Sequence, residues 1–383
     1  MVEASVLAAF AAFCLCAHVT SALIAGFRLR AVRAPAAPLV GAPPVSVVQP
    51  LCGADRFSEE TLRAILTLDY PDYEVVFCAA DARDPAVALA RRAMADHPER
   101  AARLLIGEAS INANPKLNNL AKGWAAAKND WIVVVDANVL PPRDYIQRLL
   151  AGWREDTGVV SGPPIGARAE NFGAELECAF LNLYQARWQL TADSVGAGFA
   201  QGKTLFYRRQ IVEAGGGIEA LGAELAEDAA TTKLVRRLGL KARVARGVFE
   251  QPLGARALRA VWARQVRWAR LRRASFPVYF SLEIITALPV PALCAAIAAA
   301  DLDHSPLVAA LSCAGLWWGA EAGLAEAAGW RFGLDTLAAA ALRDAMMPWL
   351  WLQAWFGDSF EWRGRAMSVA ERRDDDEGKT AAV

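Results

Sequence analysis

Apolar residues along the chain follow three different patterns, and the first is an almost unbroken run from Val6 to Phe27. About 20 apolar residues suffice to cross a bilayer as a helix. Only Glu3 is charged ahead of the run, whereas a cleaved signal peptide carries its positive charge there. We therefore predict a retained membrane anchor over residues 1–33, with a buried helix of a soluble domain as the alternative. Three arginines follow the run and indicate its cytoplasmic end: Arg28, Arg30 and Arg33.

The second pattern is an alternation of short β-rich runs with helical spacing. Residues 34–44 contain four prolines and predict a stiff, extended linker before it. The alternation predicts an α/β domain with a largely parallel sheet over residues 45–255. Ligands of such sheets bind at the carboxyl ends of the strands. The clearest runs are VSVVQPL from Val45, YEVVFCAA from Tyr73 and WIVVVD from Trp131.

The third pattern is a return to long apolar segments over residues 276–357, followed by a polar tail, 358–383, that we expect to be unstructured. Residues 256–275 are rich in Arg and Trp and predict an amphipathic segment at the membrane interface. The later apolar segments contain charges and Pro348, so kinked, re-entrant or interfacial helices are alternatives to clean spans. The number of C-terminal spans stays open between two and four. The candidate segments are Phe276–Ala300, Pro306–Ala328 and Leu334–Phe356.

Composition narrows the classes of function. The 383 residues are 55% hydrophobic with a mean hydropathy of +0.21, which favours a membrane protein. Lys plus Arg and Asp plus Glu both total 41, so no net charge indicates a nucleic-acid partner. The seven cysteines form no CxxC pair, which is typical of a reducing compartment. Only three histidines occur, and this argues against histidine metal cages and Ser-His-Asp catalysis.

The stretch AGFAQGKT, residues 197–204, is similar to a phosphate-binding P-loop. A P-loop requires a strand before its glycines and a helix after its Lys-Thr pair. Here the preceding residues have helical spacing and the following ones, from Thr204, are β-like. We therefore reject nucleotide hydrolysis. We expect the glycines to allow close approach of a ligand and Lys203 to begin the strand.

Three acidic positions fall where the active site of an α/β sheet is expected. Asp81 and Asp136 each follow a predicted strand, and Asp228 precedes a predicted helix together with Glu227. Asp81, or its neighbour Asp84, is alternatively explained by an Asx turn, and Asp228 by a helix N-cap. Asp136 is harder to explain structurally, because a charge at the end of a Val-Val-Val strand is costly unless it is paired or metal-bound.

The sequence RQVRW contains Arg264 and Arg267 at a spacing that puts them on one helical face, next to Trp268. Guanidinium groups bind phosphate oxygens in pairs, so this face suits a diphosphate. Arginines also flank membrane helices on their cytoplasmic side, and both interpretations can hold at once.

These motifs together resemble the processive-type glycosyltransferases with a GT-A fold, and most closely the ceramide glucosyltransferase family. The series of three aspartates followed by (Q/R)xxRW is matched by Asp81, Asp136, Asp228 and RQVRW. INANPKLNNL, residues 111–120, and AEDAATTK, from Ala226, resemble two further segments of that family. The resemblance covers the anchor, the α/β domain and the start of the C-terminal membrane region.

The resemblance implies a role for each matched residue. Asp81 would contact the uridine of a nucleotide sugar, Asp136 would lie near its diphosphate and a Mg²⁺ or Mn²⁺ ion, and Asp228 would be the general base. Asn138 stands where the common Asp-x-Asp metal pair has its second acid, and is a weaker ligand. The donor pocket would include Lys116, Asn118 and Asn119. The diphosphate or acceptor would be held by Arg264, Arg267, Trp268, Gln201 and Gly202.

The implied function is inverting transfer of a sugar, most simply glucose from UDP-glucose, to the hydroxyl of a membrane lipid such as ceramide. The catalytic domain would lie on the cytoplasmic face of a bacterial inner membrane. Alternatives are transfer of another sugar to a hopanoid or diacylglycerol, polysaccharide synthesis, and a membrane scaffold with a degenerate transferase domain. A polymer synthase ranks below the others, because three or four apolar segments build a membrane channel with difficulty.

Overall fold

The computed structural model describes residues 2–32, 41–362 and 365–369. Most of the predicted proline-rich linker and the tail from residue 370 lie outside these ranges. The chain separates into two compact units. One, the sheet unit, comprises Arg28–Arg168 and Gln185–Leu253. The other, the helical unit, comprises the N-terminal helix up to Phe27, Ala169–Tyr184 and the chain from Gly254.

The elements alternate between strands and helices up to residue 254 and are mainly helical beyond it. In chain order they are α1 (Val2–Arg30), β1 (Val45–Leu51), α2 (Ser58–Leu66), β2 (Tyr73–Ala79), α3 (Pro85–Asp96), β3 (Ala102–Ile106), α4 (Pro115–Ala126), β4 (Trp131–Val135), α5 (Tyr145–Leu150), β5 (Thr157–Ser161), β6 (Pro164–Ala169), α6 (Phe172–Cys178), a π-helical segment (Ala179–Ala186), α7 (Arg187–Ser194), β7 (Thr204–Arg208), α8 (Arg209–Ala214), a 3₁₀ segment (Ile218–Ala223), α9 (Glu227–Arg237), β8 (Lys241–Val244), β9 (Phe249–Gly254), α10 (Leu258–Ser275), α11 (Pro277–Ser281), a 3₁₀ segment (Leu282–Thr286), α12 (Pro289–Asp301), α13 (Pro306–Ala328), α14 (Leu334–Trp355), β10 (Ser359–Trp362) and β11 (Arg365–Ser368).

The sheet unit is built on seven strands in the order β3-β2-β1-β4-β7-β5-β8. β1 to β4 run parallel, β7 runs antiparallel to both of its neighbours, and β5 and β8 are parallel. Side chains alternate between two buried faces, so that Val47 and Val75 join one core and Val48 and Val76 the other. The predicted α/β architecture with a largely parallel sheet is therefore confirmed.

Helix α4 lies unusually close to the sheet, and a glycine allows it. A Cβ on Gly123 would lie 2.4 Å from Val48 Cγ1 and 2.5 Å from Cys78 Sγ. At the other end, the Asn114 side chain accepts hydrogen bonds from the backbone N–H groups of Lys116 and Leu117 and caps the helix. Tight packing and capping together fix the start of α4 at the carboxyl end of the sheet.

The helical unit contains the candidate membrane helices. Among the described residues, Glu3–Arg30 and Pro306–Ala328 are long and apolar enough to cross a bilayer. The count rises to three if Pro277–Thr286 and Pro289–Asp301, bent by 53° at their junction, form one span. The expected segment Phe276–Ala300 is thus broken rather than continuous. The expected segment Leu334–Phe356 forms α14 but is not among the candidate spans.

A cluster of buried charges joins α13 and α14. The Arg343 guanidinium donates to Glu321 at 2.9 and 3.1 Å and to Asp344 at 2.9 Å. It also donates to the backbone oxygen of Ala179 at 3.2 Å. All three charged side chains are almost fully buried, so each depends on the others for solvation. Glu321, Arg343 and Asp344 therefore form a structural ion network within this apolar region.

The polar tail begins with ordered structure. Strands β10 and β11 pair antiparallel, with Ser359 opposite Ser368. The expectation of an unstructured tail is therefore wrong for residues 359–362 and 365–368, because the backbone pairing satisfies polar groups that a coil would leave to water.

Candidate active site

Two residues meet where β4 and β7 end their pairing. The antiparallel ladder aligns Val135 with Thr204, and the N–H of Asp136 donates to the backbone oxygen of Lys203 at 3.0 Å. Asp136 and Lys203 are therefore the next pair across the two strands. Directly opposed residues in an antiparallel ladder have Cβ atoms about 4.5–5.5 Å apart, so their side chains can meet.

Asp136 is bound by two lysines. Its Oδ1 lies 2.8 Å from Lys116 Nζ and its Oδ2 lies 2.9 Å from Lys203 Nζ. Burial alone would raise the pKa of Asp136, but the charges of Lys116 and Lys203 outweigh it and hold that pKa well below its usual range. Asp136 is thus a permanent carboxylate.

Lys116 connects Asp136 to the start of α9. Its Nζ lies 2.5 Å from Glu227 Oε1 and 2.5 Å from the backbone oxygen of Gly202. Burial disfavours its charge, yet Asp136 and Glu227 raise the pKa of Lys116 above its ordinary value. The other Glu227 oxygen accepts from Asn114 Nδ2 at 2.9 Å. Lys116 is consequently a fixed cation between two carboxylates.

Asp228 contacts Gly202 through the N–H of that residue, whereas Lys116 contacts its oxygen. Asp228 Oδ2 accepts from the N–H of Gly202 and Asp228 Oδ1 from the N–H of Ala229, both at 2.8 Å. Burial, and after it the charge of Glu227, raises the pKa of Asp228 from 3.8 to about 6. The helix N-cap is Ala226, so the alternative that Asp228 is a cap is wrong. Its side chain is instead oriented by the Gly202 loop.

Gly202 makes this arrangement compact. A Cβ at position 202 would lie 2.8 Å from Glu227 Oε1, 3.3 Å from Asp228 Oδ2 and 3.3 Å from Lys116 Nζ. The neighbouring Gln201 donates its N–H to Ser161 at 2.9 Å. Its buried side-chain oxygen lacks a hydrogen-bond partner among the described residues. A buried acceptor without a partner is uncommon in folded proteins, and the contact of Gln201 with an acceptor stays a prediction.

The side chains around Asp136 do not form a ready site for a divalent cation. Within the described part of the chain, no group of three or more His, Cys, Asp or Glu residues is arranged to hold one. Each oxygen of Asp136 is bound to an ammonium group, and Asn138 Oδ1 accepts from Lys203 Nζ at 3.0 Å. The expected ligands Asp136 and Asn138 therefore do not fit a metal as they stand, because a divalent cation there would meet the like charges of Lys116 and Lys203.

The remaining donor-side candidates lie at the ends of β1 and β2. Asp81 follows β2, is half exposed and pairs with Arg83 at 2.8 Å, while Asp84 caps α3. Asn118 accepts from two backbone N–H groups of the 111–112 loop. Asn119 donates to the backbone oxygens of β1 and β2 at 3.2 and 2.8 Å. Both asparagines therefore hold loops at this edge of the sheet, and their contact with a donor stays a prediction.

The RQVRW residues belong to α10, in the helical unit, whereas Asp136, Lys203 and Asp228 belong to the sheet unit. The Arg264 guanidinium binds Glu177 and its centre lies 5.9 Å from the centre of the Trp268 ring. Arg267 and Trp268 are partly buried on the same helix. Their proposed contact with a diphosphate or acceptor stays a prediction.

Two members of the cluster escaped the sequence reasoning. Lys203 was expected only to begin a strand, and Glu227 was treated as a neighbour of Asp228. β7 does begin at Thr204, directly after Lys203. The P-loop-like sequence was the available signal for Lys203, since it marks a lysine on a glycine-bearing turn. The pairing of Lys203 with Asp136 is evident only from the register of β4 and β7.

A seven-stranded sheet of this order, with charged residues clustered where β4 and β7 meet, defines a glycosyltransferase fold of the GT-A class. A mannosyltransferase from Pyrobaculum calidifontis, solved in complex with GDP-Man and Mn²⁺, has the same fold. Its TM-score is 0.50 at 20% identity, over 88% of this chain and 99% of that one. The model of glycosyl transferase family 21 matches residues 9–375. The chain belongs to that family.

The relatives agree with the resemblance found in the sequence. Ceramide glucosyltransferase 1 of Caenorhabditis elegans is 26% identical over 237 residues, which cover 61% of this chain and 51% of the relative. Ceramide glucosyltransferase of Komagataella phaffii is 34% identical over 99 residues, 25% of this chain and 19% of the relative. The chain thus spans about half the length, or less, of these relatives.

Proposed function

We propose that this protein transfers a sugar from a nucleotide sugar to the hydroxyl of a membrane lipid, and specifically glucose from UDP-glucose to ceramide with inversion. The observation that carries the proposal is Asp228, a carboxylate with a raised pKa held beside Gly202 at the edge of a cluster of three acids and two lysines. The family and its relatives named ceramide glucosyltransferase support the substrates.

Asp228 is suited to remove the proton from an attacking hydroxyl. A general base works best when its pKa lies near the working pH, and about 6 is closer to neutrality than an ordinary aspartate. Two backbone N–H groups fix its orientation. One base suffices for a single displacement, which inverts the anomeric carbon, whereas a glycosidase needs two carboxylates that flank the bond.

The donor's diphosphate requires positive charge, because its negative charge grows as the bond to the sugar breaks. Lys116 and Lys203 supply fixed ammonium groups here. Asp81, Asn118 and Asn119 are our proposed neighbours of the nucleoside. Mn²⁺ accompanies GDP-Man in the Pyrobaculum structure, which supports a divalent cation in related enzymes. Since Asp136 and Asn138 do not fit one as they stand, we derive no step through a metal.

A lipid acceptor agrees with the helical unit. Helices α1 and α13 are long and apolar enough to cross a bilayer, so the chain is suited to stay at a membrane surface where lipid hydroxyls lie. Arginines at the end of α1 favour a cytoplasmic catalytic unit by the positive-inside rule. We propose a bacterial inner membrane location on this basis, with Arg264, Arg267 and Trp268 on the acceptor side.

The test is sugar transfer by the purified full chain in vesicles that contain one acceptor each: ceramide, diacylglycerol or a hopanoid. Each vesicle receives labelled UDP-glucose, UDP-galactose or GDP-mannose, and the lipid product is identified by mass spectrometry and its linkage by NMR. We expect β-glucosylceramide from UDP-glucose alone.

Transfer to another lipid, or of another sugar, would refute the assigned substrates and retain the class of reaction. Absence of transfer with every pair, from protein that is folded by thermal unfolding, would refute catalysis and favour the scaffold alternative. Asp156→Asn is the matched control for the variant Asp228→Asn, because Asp156 is a surface carboxylate paired with Lys241 and Arg243.

A further inference from the structure

In an Asp-x-Asp pair, the two side chains offer oxygens to a cation. Here the corresponding side chains are Asp136 and Asn138, and the Lys203 ammonium group contacts an oxygen of each. Its Nζ lies 2.9 Å from Asp136 Oδ2 and 3.0 Å from Asn138 Oδ1. The Lys203 side chain is 18% exposed, so a ligand can reach part of it.

The charges balance with a lysine as they would with a metal. Two carboxylates and a divalent cation sum to zero. One carboxylate, one neutral amide and one ammonium group, as in Asp136, Asn138 and Lys203, also sum to zero. The loss of an acid at position 138 and the presence of a lysine at position 203 are thus complementary changes. A divalent cation added beside Lys203 would meet a like charge and only one carboxylate.

The backbone fixes Lys203 in this position. The N–H of Asp136 donates to the Lys203 backbone oxygen at 3.0 Å, and the next residue, Thr204, is opposite Val135 in the ladder and bonds Tyr145 at 2.9 Å. Lys116, in contrast, already contacts Glu227 and the Gly202 oxygen in addition to Asp136. Of the two lysines, Lys203 is the one whose ammonium group contacts both Asp136 and Asn138.

We propose that the Lys203 ammonium group takes the place of the divalent cation at the donor's diphosphate, so that transfer is independent of metal. The inference rests on the proposed function. In the step, the bond between the anomeric carbon and the β-phosphate oxygen breaks and its electron pair stays on the diphosphate, where Lys203 meets the new charge. The acceptor oxygen bonds the anomeric carbon, and its proton moves to Asp228.

The experiment compares four proteins in chelator and in Mn²⁺: wild type, Lys203→Met, the double variant Asn138→Asp with Lys203→Met, and the control Lys241→Met. Lys241 is a surface lysine paired with Asp156. We expect the wild type and the control to transfer sugar equally with or without Mn²⁺. Lys203→Met should lose about 10²–10³-fold in kcat. The double variant, which recreates the Asp-x-Asp pair, should regain transfer only with Mn²⁺.

Mn²⁺ binding in the presence of UDP, measured by electron paramagnetic resonance, is the second readout and does not depend on turnover. We expect bound Mn²⁺ in the double variant and none in the wild type. Wild-type transfer that stops in chelator and returns with Mn²⁺, or stoichiometric Mn²⁺ bound by the wild type with UDP, would overturn the inference and leave the proposed function intact. Absence of transfer by every protein would refute the proposed function, and the resonance result would still decide the role of Lys203.

Discussion

Asp228 gives the sharpest prediction, because its surroundings set a pH at which the proposed enzyme should lose activity. Burial and the charge of Glu227 raise its pKa to about 6. The ratio of carboxylate to acid is then about 10 at pH 7 and about 0.1 at pH 5. If the carboxylate is the base, kcat/KM should fall about tenfold between these pH values. An ordinary aspartate would give no change in this window.

The assay is initial-rate transfer of labelled glucose to ceramide from pH 4.5 to 8, at saturating donor and subsaturating ceramide, so that the rate reports kcat/KM for the acceptor. Asp228→Asn should reduce the rate by about 10²–10⁴-fold and remove the limb near pH 6. Asp156→Asn should retain both the rate and the limb. A wild-type profile that is flat down to pH 5, or near-normal turnover by Asp228→Asn, would refute the base assignment.

Thermal unfolding shows whether Asp228→Asn is folded, and the raised pKa of Asp228 predicts the direction in which the stability of the variant changes. The folded-state pKa of Asp228 is raised, so its contribution to stability is fully present below the unfolded value near 3.8 and is lost as the pH rises through about 6. The loss amounts to about 3 kcal/mol at most. A neutral asparagine avoids this cost of burying a charge, although it cannot accept both N–H bonds as the carboxylate does. Because the avoided cost is at least as large as that of one lost hydrogen bond, we expect the melting temperature of the variant at pH 7.5 to be no lower than that of the wild type.

Two further predictions concern the fold. Gly123→Ala should destabilise the sheet unit by about 1–3 kcal/mol, because its Cβ would lie 2.4 Å from Val48 Cγ1. Gly319→Ala in α13, where nothing lies within 4 Å of the new Cβ, is the control and should be neutral in thermal unfolding; equal melting temperatures for the two variants would contradict the close packing. Arg343→Leu should destabilise the detergent-solubilised protein by about 3–5 kcal/mol, because the buried carboxylates of Glu321 and Asp344 would lose their guanidinium partner. A melting temperature unchanged from wild type would show that the network contributes no stability.

Local sequence patterns were sufficient to predict the sheet and to place Asp136 and Asp228 next to its elements, but not the part that Glu227 plays in the cluster. Asp136 follows an apolar strand and Asp228 lies in the first turn of a helix, so periodicity alone indicated where each would lie. Parallel strands place their carboxyl ends at one edge, and this brings such residues together without knowledge of the loops.

The lysine partners depended on tertiary structure. Lys203 reaches Asp136 because β7 runs antiparallel to β4 in one particular register. No local pattern predicts that residues as far apart in the chain as Val135 and Thr204 are paired. Lys116 was assigned to a donor pocket from the family resemblance, but its contacts with Glu227 and Gly202 require α4 and α9 to meet. Long-range pairing of charges, rather than the elements themselves, was what the sequence left undetermined.

Whether the Asp228 carboxylate acts as the base in sugar transfer to a lipid can be measured by comparing the wild type with Asp228→Asn. Wild type and Asp228→Asn, purified in parallel and matched for folding, are incubated with labelled UDP-glucose in ceramide vesicles, and label in the lipid fraction is counted at pH 7.5. We expect labelled glycolipid from the wild type and a loss of at least about 10²-fold in the variant. Equal incorporation by both proteins, or none by the wild type with any acceptor lipid, would contradict this expectation.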